Sequence, residues 1–158
     1  MFPVTRGKEA MTMSIVVAYD SVFGNTEEIA KAVAGALPAD VIVAKADRVD
    51  AAMLAQATVL VIGSPTHGGR PTEAVKGLLG RVNEDKAKGL KVASFDTRIP
   101  GRFPKIFGYA ADRIAADLTA KGAVMVLPPE PFYVKGRNGP LKDGELEHAA
   151  EWARKLIQ

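Results

Sequence analysis

The chain has 158 residues, of which 47% are hydrophobic and 25% are charged, and its net charge is +3. This length and composition predict one globular domain with a sizeable core, and the mild charge without a clustered basic run argues against a nucleic-acid partner. The absence of cysteine excludes disulfides, thiolate metal sites and cysteine nucleophiles, and no apolar run approaches the roughly 18 residues expected of an integral membrane segment.

Residues 1–12 show neither helical nor strand periodicity, and they contain three charged side chains but no hydrophobic block. We therefore expect a poorly ordered N-terminal extension, followed by a single domain over residues 13–158. Because a secretory signal needs an apolar region that these residues lack, the sequence predicts a cytoplasmic protein.

From Ser14 onward, short apolar runs alternate with helical patterns. The runs are rich in β-branched residues, which is typical of strands that are buried on both faces. The five predicted strands are residues 15–19, 41–44, 59–62, 92–95 and 124–127. The five predicted helices carry apolar residues at helical spacing and cover residues 26–36, 49–55, a segment from Pro71, a segment from near Pro104 to Gly122, and 143–157.

This alternation predicts an α/β fold, a three-layer sandwich in which helices cover both faces of a five-stranded parallel sheet. Ligands of such sheets bind beyond the carboxyl ends of the strands. The loops after the first, third and fourth strands, residues 21–26, 63–72 and 96–103, should therefore converge. The Pro-rich stretch over residues 128–141 is predicted to be a long surface loop.

The loop over residues 21–26 joins a predicted buried strand to a predicted helix. Such a loop brings backbone N–H groups and the positive end of the helix dipole to one point, a geometry that binds phosphate. Ser21 and Thr26 add hydroxyl donors, and Gly24 permits a positive φ and close approach of the backbone. Without a ligand, the same turn would serve only as a helix cap.

Two common nucleotide motifs are absent. No Gly-x-Gly-x-x-Gly follows a predicted strand, so the dinucleotide fingerprint is missing. Gly63 and Gly68 have the spacing of a Walker loop, but Gly69 and Arg70 stand where Lys and Ser or Thr are required. These departures argue against an ATPase or GTPase.

Residues 21–26, Ser-Val-Phe-Gly-Asn-Thr, resemble the hydroxyl-x-x-Gly-Asn-Thr phosphate loop of the flavodoxin family. Residues 63–69, Gly-Ser-Pro-Thr-His-Gly-Gly, resemble the Gly-Ser/Thr-Pro-Thr segment that flanks the flavin in flavodoxin-like proteins. The resemblance extends over residues 14–157. It implies the strand order 2-1-3-4-5, FMN as the cofactor and a redox function.

The resemblance also implies roles for individual residues. The FMN phosphate would be held by Ser21, Val22, Phe23, Gly24, Asn25 and Thr26. One side of the isoalloxazine ring would be flanked by Ser64, Pro65, Thr66, His67 and Gly68. The loop on its other side would begin with Asp96, Thr97 and Arg98, and Asp96 is a candidate acceptor for flavin ring or ribityl donors.

Some residues depart from the family pattern or have open roles. The second loop lacks the aromatic side chain that often stacks on a flavin, and Phe103, Phe107 or Tyr109 is the candidate to cover the ring instead. His67 would donate to the flavin or neutralise its reduced anion, whereas His148 is predicted to face solvent or pack beside the single tryptophan. No spacing of the two histidines suggests a metal site.

Charge is the sharpest departure, because flavodoxins are typically acidic. Here Arg98, Arg102 and Lys105 accompany a single acid, Asp96, within residues 96–105. Such a rim would attract an anionic partner or substrate. It would also stabilise a reduced anionic flavin, raising a one-electron potential by about 59 mV for each 1.4 kcal/mol.

The leading hypothesis is therefore a flavodoxin-type electron carrier whose partner is a redox protein or a small anionic electron donor or acceptor. No side chain is predicted to be catalytic. An FMN-dependent oxidoreductase linked to a quinone or to NAD(P)H is the alternative, and a flavin-free binding module on the same fold is a third possibility.

Overall fold

The computed structural model describes residues 13–38, 40–67, 69–101 and 108–158, so the predicted extension over residues 1–12 lies outside the described residues. The strands are β1 (Ser14–Tyr19), β2 (Asp40–Lys45), β3 (Val59–Pro65), β4 (Lys91–Arg98), β5 (Val124–Met125) and β6 (Glu130–Tyr133). The α-helices are α1 (Asn25–Gly35), α2 (Ala51–Gln56), α3 (Glu73–Arg81), α4 (Glu84–Ala87), α5 (Ala110–Ala120) and α6 (Glu145–Lys155).

The strands form one sheet in the order β2-β1-β3-β4-β5, and every pairing is parallel. Helices cover both faces, which confirms the predicted α/β fold and its strand order. Two short strands, β5 and β6, share the edge of the sheet beside β4, where the sequence predicts one fifth strand. Strand β5 pairs with the beginning of β4, and β6 pairs with its end, from Phe95↔Glu130 to Arg98↔Tyr133.

The division of the fifth strand corrects two expectations. The predicted strand over residues 124–127 is shorter, and the predicted loop over 128–141 contains β6. Pro128 and Pro129 lack N–H groups and interrupt the ladder between the two segments. Pro131 is tolerated inside β6 because this strand lies at the edge of the sheet.

Alternating side chains of the strands divide the core into two layers. On one face, Ile15 and Val17 of β1 pack with α1 and α6, where Phe95, Phe132 and Trp152 meet edge to face. On the other face, the neighbouring side chains of the same strands pack with α3 and α5. The two layers hold the sheet rigidly, so the strand ends that precede the loops have fixed positions.

Several helix boundaries differ from the predicted ones. Helix α5 begins at Ala110, since Gly108 has a φ of +68° and Tyr109 is extended. The predicted start near Pro104 falls in residues 102–107, outside the described residues. The second predicted helix, 49–55, begins only at Ala51, where Asp50 Oδ1 accepts a hydrogen bond from Met53 N at 2.9 Å. The side-chain cap fixes this start better than apolar spacing does.

The remaining helix corrections are small. Helix α3 begins at Glu73, two residues after Pro71, and α6 covers residues 145–155 of the predicted 143–157. Helix α4 was not predicted, because its four residues are too few to show a periodic pattern. Among the helices of the described ranges, none has the length and apolar character to cross a membrane.

Candidate functional site

A cavity of about 560 Å³ opens where β1, β3 and β4 end, within the size range of small-molecule sites. The three loops predicted to converge all contribute to it. Its lining consists of Ser21, Val22, Phe23, Asn25, Thr26, Pro65, Thr66, His67, Thr97, Arg98, Ile99, Val134 and Arg137.

The N-terminus of α1 forms one wall of the cavity. Gly24 is its N-cap residue and has a φ of +93°, and within the described part of the chain no side chain caps this helix. Ser21 Oγ accepts a hydrogen bond from Gly24 N at 3.0 Å and thereby holds the turn. The N–H groups of the first helical turn have no intrahelical acceptor, so they and the helix dipole favour an anion at this wall.

Two contacts tie this wall to distant parts of the chain. The hydroxyl oxygens of Thr26 and Thr97 are 2.8 Å apart, which joins α1 to the end of β4. Gly139, with a φ of +97°, packs directly against the buried amide of Asn25, because a Cβ at Gly139 would come within 2.5 Å of Asn25 Oδ1. The chain after β6 therefore packs against the start of α1.

The end of β4 carries a buried ion pair. Arg98 Nε and Nη2 donate to Asp96 Oδ1 and Oδ2 at 2.8 and 2.7 Å. Ala111 N also donates to Asp96 Oδ2 at 2.9 Å. Burial raises the pKa of the Asp96 carboxyl, against the opposing effect of Arg98. Burial alone would lower the pKa of Arg98, but the hydrogen bonds and charge of Asp96 raise it.

Asp96 is fully buried and does not line the cavity. Because Arg98 occupies both of its oxygens, a ligand in the cavity would reach this carboxylate only if Arg98 moved. This arrangement therefore does not favour the predicted role of Asp96 as an acceptor for flavin donors, and that role remains untested. The alternation of β4 contains the missed signal: Phe95 faces α1 and α6, so Asp96 faces α5.

The second loop supplies the opposite wall. Thr66 and His67 line the cavity, and Thr66 Oγ1 accepts a hydrogen bond from Ala110 N at 3.1 Å. His67 is exposed and pairs through its backbone with Arg70. Ser64, in contrast, is buried beneath the loop, where its Oγ donates to Pro65 O and accepts from Thr72 N.

Most of the predicted site residues lie together around the cavity. Of the predicted set, Ser64 and Asp96 do not line it, Gly24 shapes the wall through its backbone, and Gly68 lies outside the described residues. Phe103 and Phe107 also lie outside them, while Tyr109 packs on Arg98 instead, with 3.5 Å between the guanidinium carbon and the ring centroid.

The sequence analysis missed three lining residues, Ile99, Val134 and Arg137. Ile99 follows β4 directly, and its position next to the predicted site residue Arg98 could have indicated that it lines the cavity. Val134 and Arg137 follow β6, whose position beside β4 could not be read from the sequence.

The donor set suits a phosphate-bearing, flat aromatic ligand. None of the described lining residues is an Asp or Glu, and hydroxyl, amide and guanidinium groups predominate at the polar wall. Val22, Phe23 and Ile99 are about half exposed and supply an apolar edge that a ring can cover. Glu27 pairs with Lys31 at 2.8 Å rather than turning inward, and this hydrogen bond lowers the pKa of Glu27.

His148 has a structural place away from the cavity. Its Nε2 and Nδ1 lie 2.6 Å from Glu130 Oε2 and 3.2 Å from Glu145 Oε1, and its ring contacts Phe132. The His148 side chain is about one-third exposed, and Phe132 contacts both its ring and Trp152; the sequence did not predict the contacts with the two glutamates. Over the ranges that the structure describes, no group of three or more His, Asp or Glu side chains is arranged to hold a metal ion.

The fold and this cavity define a doubly wound α/β protein that binds an anionic ligand at the carboxyl end of its sheet. A family model described as flavodoxin matches residues 17–152, and the chain belongs to the flavodoxin family. Family membership confirms the sequence-based prediction of FMN as the cofactor and of an electron-carrier function. A search of curated proteins found no match.

Solved flavodoxin structures share this fold. A flavodoxin from the domain Archaea is 21% identical, with a TM-score of 0.75 over 92% of this chain and 100% of its own. Oxidised flavodoxin 2 from Bacillus cereus is 22% identical, with a TM-score of 0.73 over 91% and 97%. Two-electron reduced flavodoxin from Megasphaera elsdenii is 25% identical, with a TM-score of 0.65 over 89% and 98%.

Proposed function

We propose that this protein carries electrons through one FMN held in the cavity, with the phosphate at the N-terminus of α1 and the ring between the second and third loops. The observation that carries this proposal is the uncapped start of α1, which opens into a cavity whose described lining lacks acidic side chains. When bound, FMN supplies the capacity to accept and pass electrons.

The chain's own residues bind and orient the cofactor. Ser21 holds the Gly24 turn, so the backbone N–H groups of the first loop are fixed before a ligand arrives. The hydroxyl pair of Thr26 and Thr97 keeps the phosphate wall at a constant distance from the ring wall. Val22, Phe23 and Ile99 form an apolar edge that remains open to solvent and to a partner.

A comparison of FMN with riboflavin, which lacks the phosphate, tests this arrangement. Each ligand is titrated into the FMN-free protein and followed by quenching of flavin fluorescence. We expect FMN to bind at least about tenfold more tightly, because a hydrogen bond to a charged group contributes about 1.5–3 kcal/mol. Equal affinities would remove the phosphate from the proposed site, and no binding of either would refute the proposed function.

The charges at the cavity favour an anionic electron donor or acceptor. Arg98 and Arg137 both line the cavity. A second cleft has Arg70, Lys76 and Arg113 and the acid Asp117 among its described lining residues, and Lys76 also pairs with Glu73. Like charge repels and unlike charge steers an approaching partner, so we propose that the natural redox partner presents acidic groups. A cytoplasmic location remains a prediction of the sequence.

Oxidation of the reduced protein by small reagents of opposite charge tests the partner proposal. We expect an anionic oxidant, ferricyanide, to react faster than a cationic cobalt(III) hexaammine relative to their rates with free reduced FMN. R137Q should slow only the anionic reagent, and R154Q, which removes a charge on α6, is the matched control. The preference should disappear at about 1 M salt, where the Debye length is about 3 Å.

A preference for the cationic oxidant would contradict the basic partner surface. Steady turnover of NAD(P)H with a quinone, without added reductase, would instead favour the alternative of an FMN-dependent oxidoreductase.

A further inference from the structure

Arg98 is held from two sides at the edge of the cavity. Its guanidinium makes a bidentate hydrogen-bonded pair with Asp96, the strongest common geometry for such a pair. Tyr109 covers the guanidinium at 3.5 Å from the ring centroid. The Arg98 side chain is only 13% exposed, although it lines the cavity. Its position is therefore set by the protein and not by solvent or ligand.

The two members of this pair occupy different depths. Asp96 is fully buried and is fixed from behind by Ala111 N of α5. Arg98 alone of the pair lines the cavity. The pair has no net charge, but its positive end, Arg98, lines the cavity, whereas its negative end, Asp96, accepts from Ala111 N of α5. Such a fixed dipole acts on a bound group in the partly buried cavity more strongly than it would in bulk water.

We infer that Arg98, positioned by Asp96, is a fixed cation that makes the cavity bind the reduced cofactor more tightly relative to the oxidised one. This inference rests on the proposed function, because it requires FMN in the cavity. Two-electron reduction adds two electrons and one proton, so the bound group gains one negative charge. The positive end of the pair stabilises that added charge, and Asp96 is a positioning residue because it acts through Arg98.

The ratio of the dissociation constants for oxidised and reduced FMN measures this preference. The logarithm of this ratio is proportional to the difference between the two-electron potentials of bound and free FMN, so a tenfold change in the ratio corresponds to about 30 mV. A loss of general affinity cancels in the ratio, because it weakens both forms equally. The ratio therefore separates the proposed electrostatic role from a merely structural one.

The double variant Asp96→Asn and Arg98→Gln is the main test, since it removes both charges of the pair while keeping the net charge of the protein. We expect the ratio to fall at least about tenfold, which lowers the potential by about 30 mV. Urea unfolding of the FMN-free variant checks that the fold is retained. R154Q is the control for a remote charge on α6, and its ratio should stay within about twofold because exposed distant charges are screened.

A second variant, R98K, keeps the charge but loses the planar fork that Asp96 grips. We expect its ratio to fall as well, by less than in the double variant, and this variant decides the matter if the double variant does not fold. An unchanged ratio in R98K would overturn the positioning role of Asp96. An unchanged ratio in a folded double variant would overturn the inference as a whole, whereas failure of the wild type to bind FMN would refute the proposed function instead.

Discussion

Gly63 lies near the end of β3, before the second loop of the site, and we predict that G63A destabilises the protein through the core rather than through the ligand. Gly63 on β3 lies directly beside Phe95 on β4. A Cβ at Gly63 would overlap the tip of the Phe95 ring at Cζ, Cε1 and Cε2. The ring is fully buried and meets Phe132 and Trp152 edge to face, with centroids 5.7 and 5.9 Å away. It therefore has no open space into which to move.

Overpacking of this kind costs about 1–3 kcal/mol, and occasionally more. For a chain of this size, each kcal/mol lowers the thermal midpoint by roughly 2–4 °C. Urea unfolding of the FMN-free protein measures the loss. The matched control is G35A at the end of α1, where an added Cβ meets nothing within 4 Å. That substitution should stabilise the protein by about 0.5–1 kcal/mol, because alanine loses less entropy in a helix.

A rescue variant tests the stated cause. Phe95→Leu shortens the side chain that the new methyl group would strike, so G63A should cost less in the F95L background than alone. Residues in contact typically couple by about 0.5–3 kcal/mol. The reasoning fails if G63A is as stable as the wild type within about 0.5 kcal/mol, or if the two substitutions are simply additive.

Two further predictions concern the chain after β6 and the end of β1. Gly139→Ala and Gly144→Ala both force a side chain into a left-handed backbone (φ +97° and +87°), at about 1–2 kcal/mol each. Only G139A should also weaken FMN binding in a fluorescence titration, because only there does the Cβ strike Asn25; equal affinities in the two variants would contradict this contact. Burial, reinforced by the charge of Glu27, raises the pKa of Tyr19 above 10.0, so the native state favours the neutral phenol. The stability that this shift contributes is therefore fully present below about pH 10 and is lost as the pH rises through the pKa of Tyr19 in the native state. Between about pH 8 and about pH 11, the free energy of urea unfolding should decline less steeply for Y19F than for the wild type. Identical slopes would refute this role of Tyr19.

Local patterns were sufficient to predict the centre of the sheet. β1, β3 and β4 are continuous apolar runs buried on both faces, and the first loop is recognisable because all its parts are adjacent in sequence. The polar wall of the cavity was predictable for the same reason. Ser21 and Thr26 lie five residues apart, on the two sides of the turn that Gly24 makes.

The parts that were missed depend on contacts between distant segments. Arg137 reaches the cavity because β6 pairs with β4. The sequence did not predict β6, because prolines are rare in strands and two of them directly precede it. Gly139 packs on Asn25 across more than a hundred residues. Asp96 is a different case, since the period-2 alternation of β4 already placed it opposite Phe95. The family resemblance placed Asp96 in the flavin site, although the alternation along β4 indicated that it faces α5.

The residues that bind the phosphate are therefore close together in the sequence, whereas the residues that set the charge around the cavity come from distant segments. The first loop, which presents its N–H groups to an anion, is encoded within residues 21–26 and is held by its own hydrogen bonds. The basic groups that set the field come from the end of β4 and from the segment after β6. A substitution at Arg98 or Arg137 therefore leaves the turn at the start of α1 intact. Potential and choice of partner can consequently change in this fold without rebuilding the phosphate site.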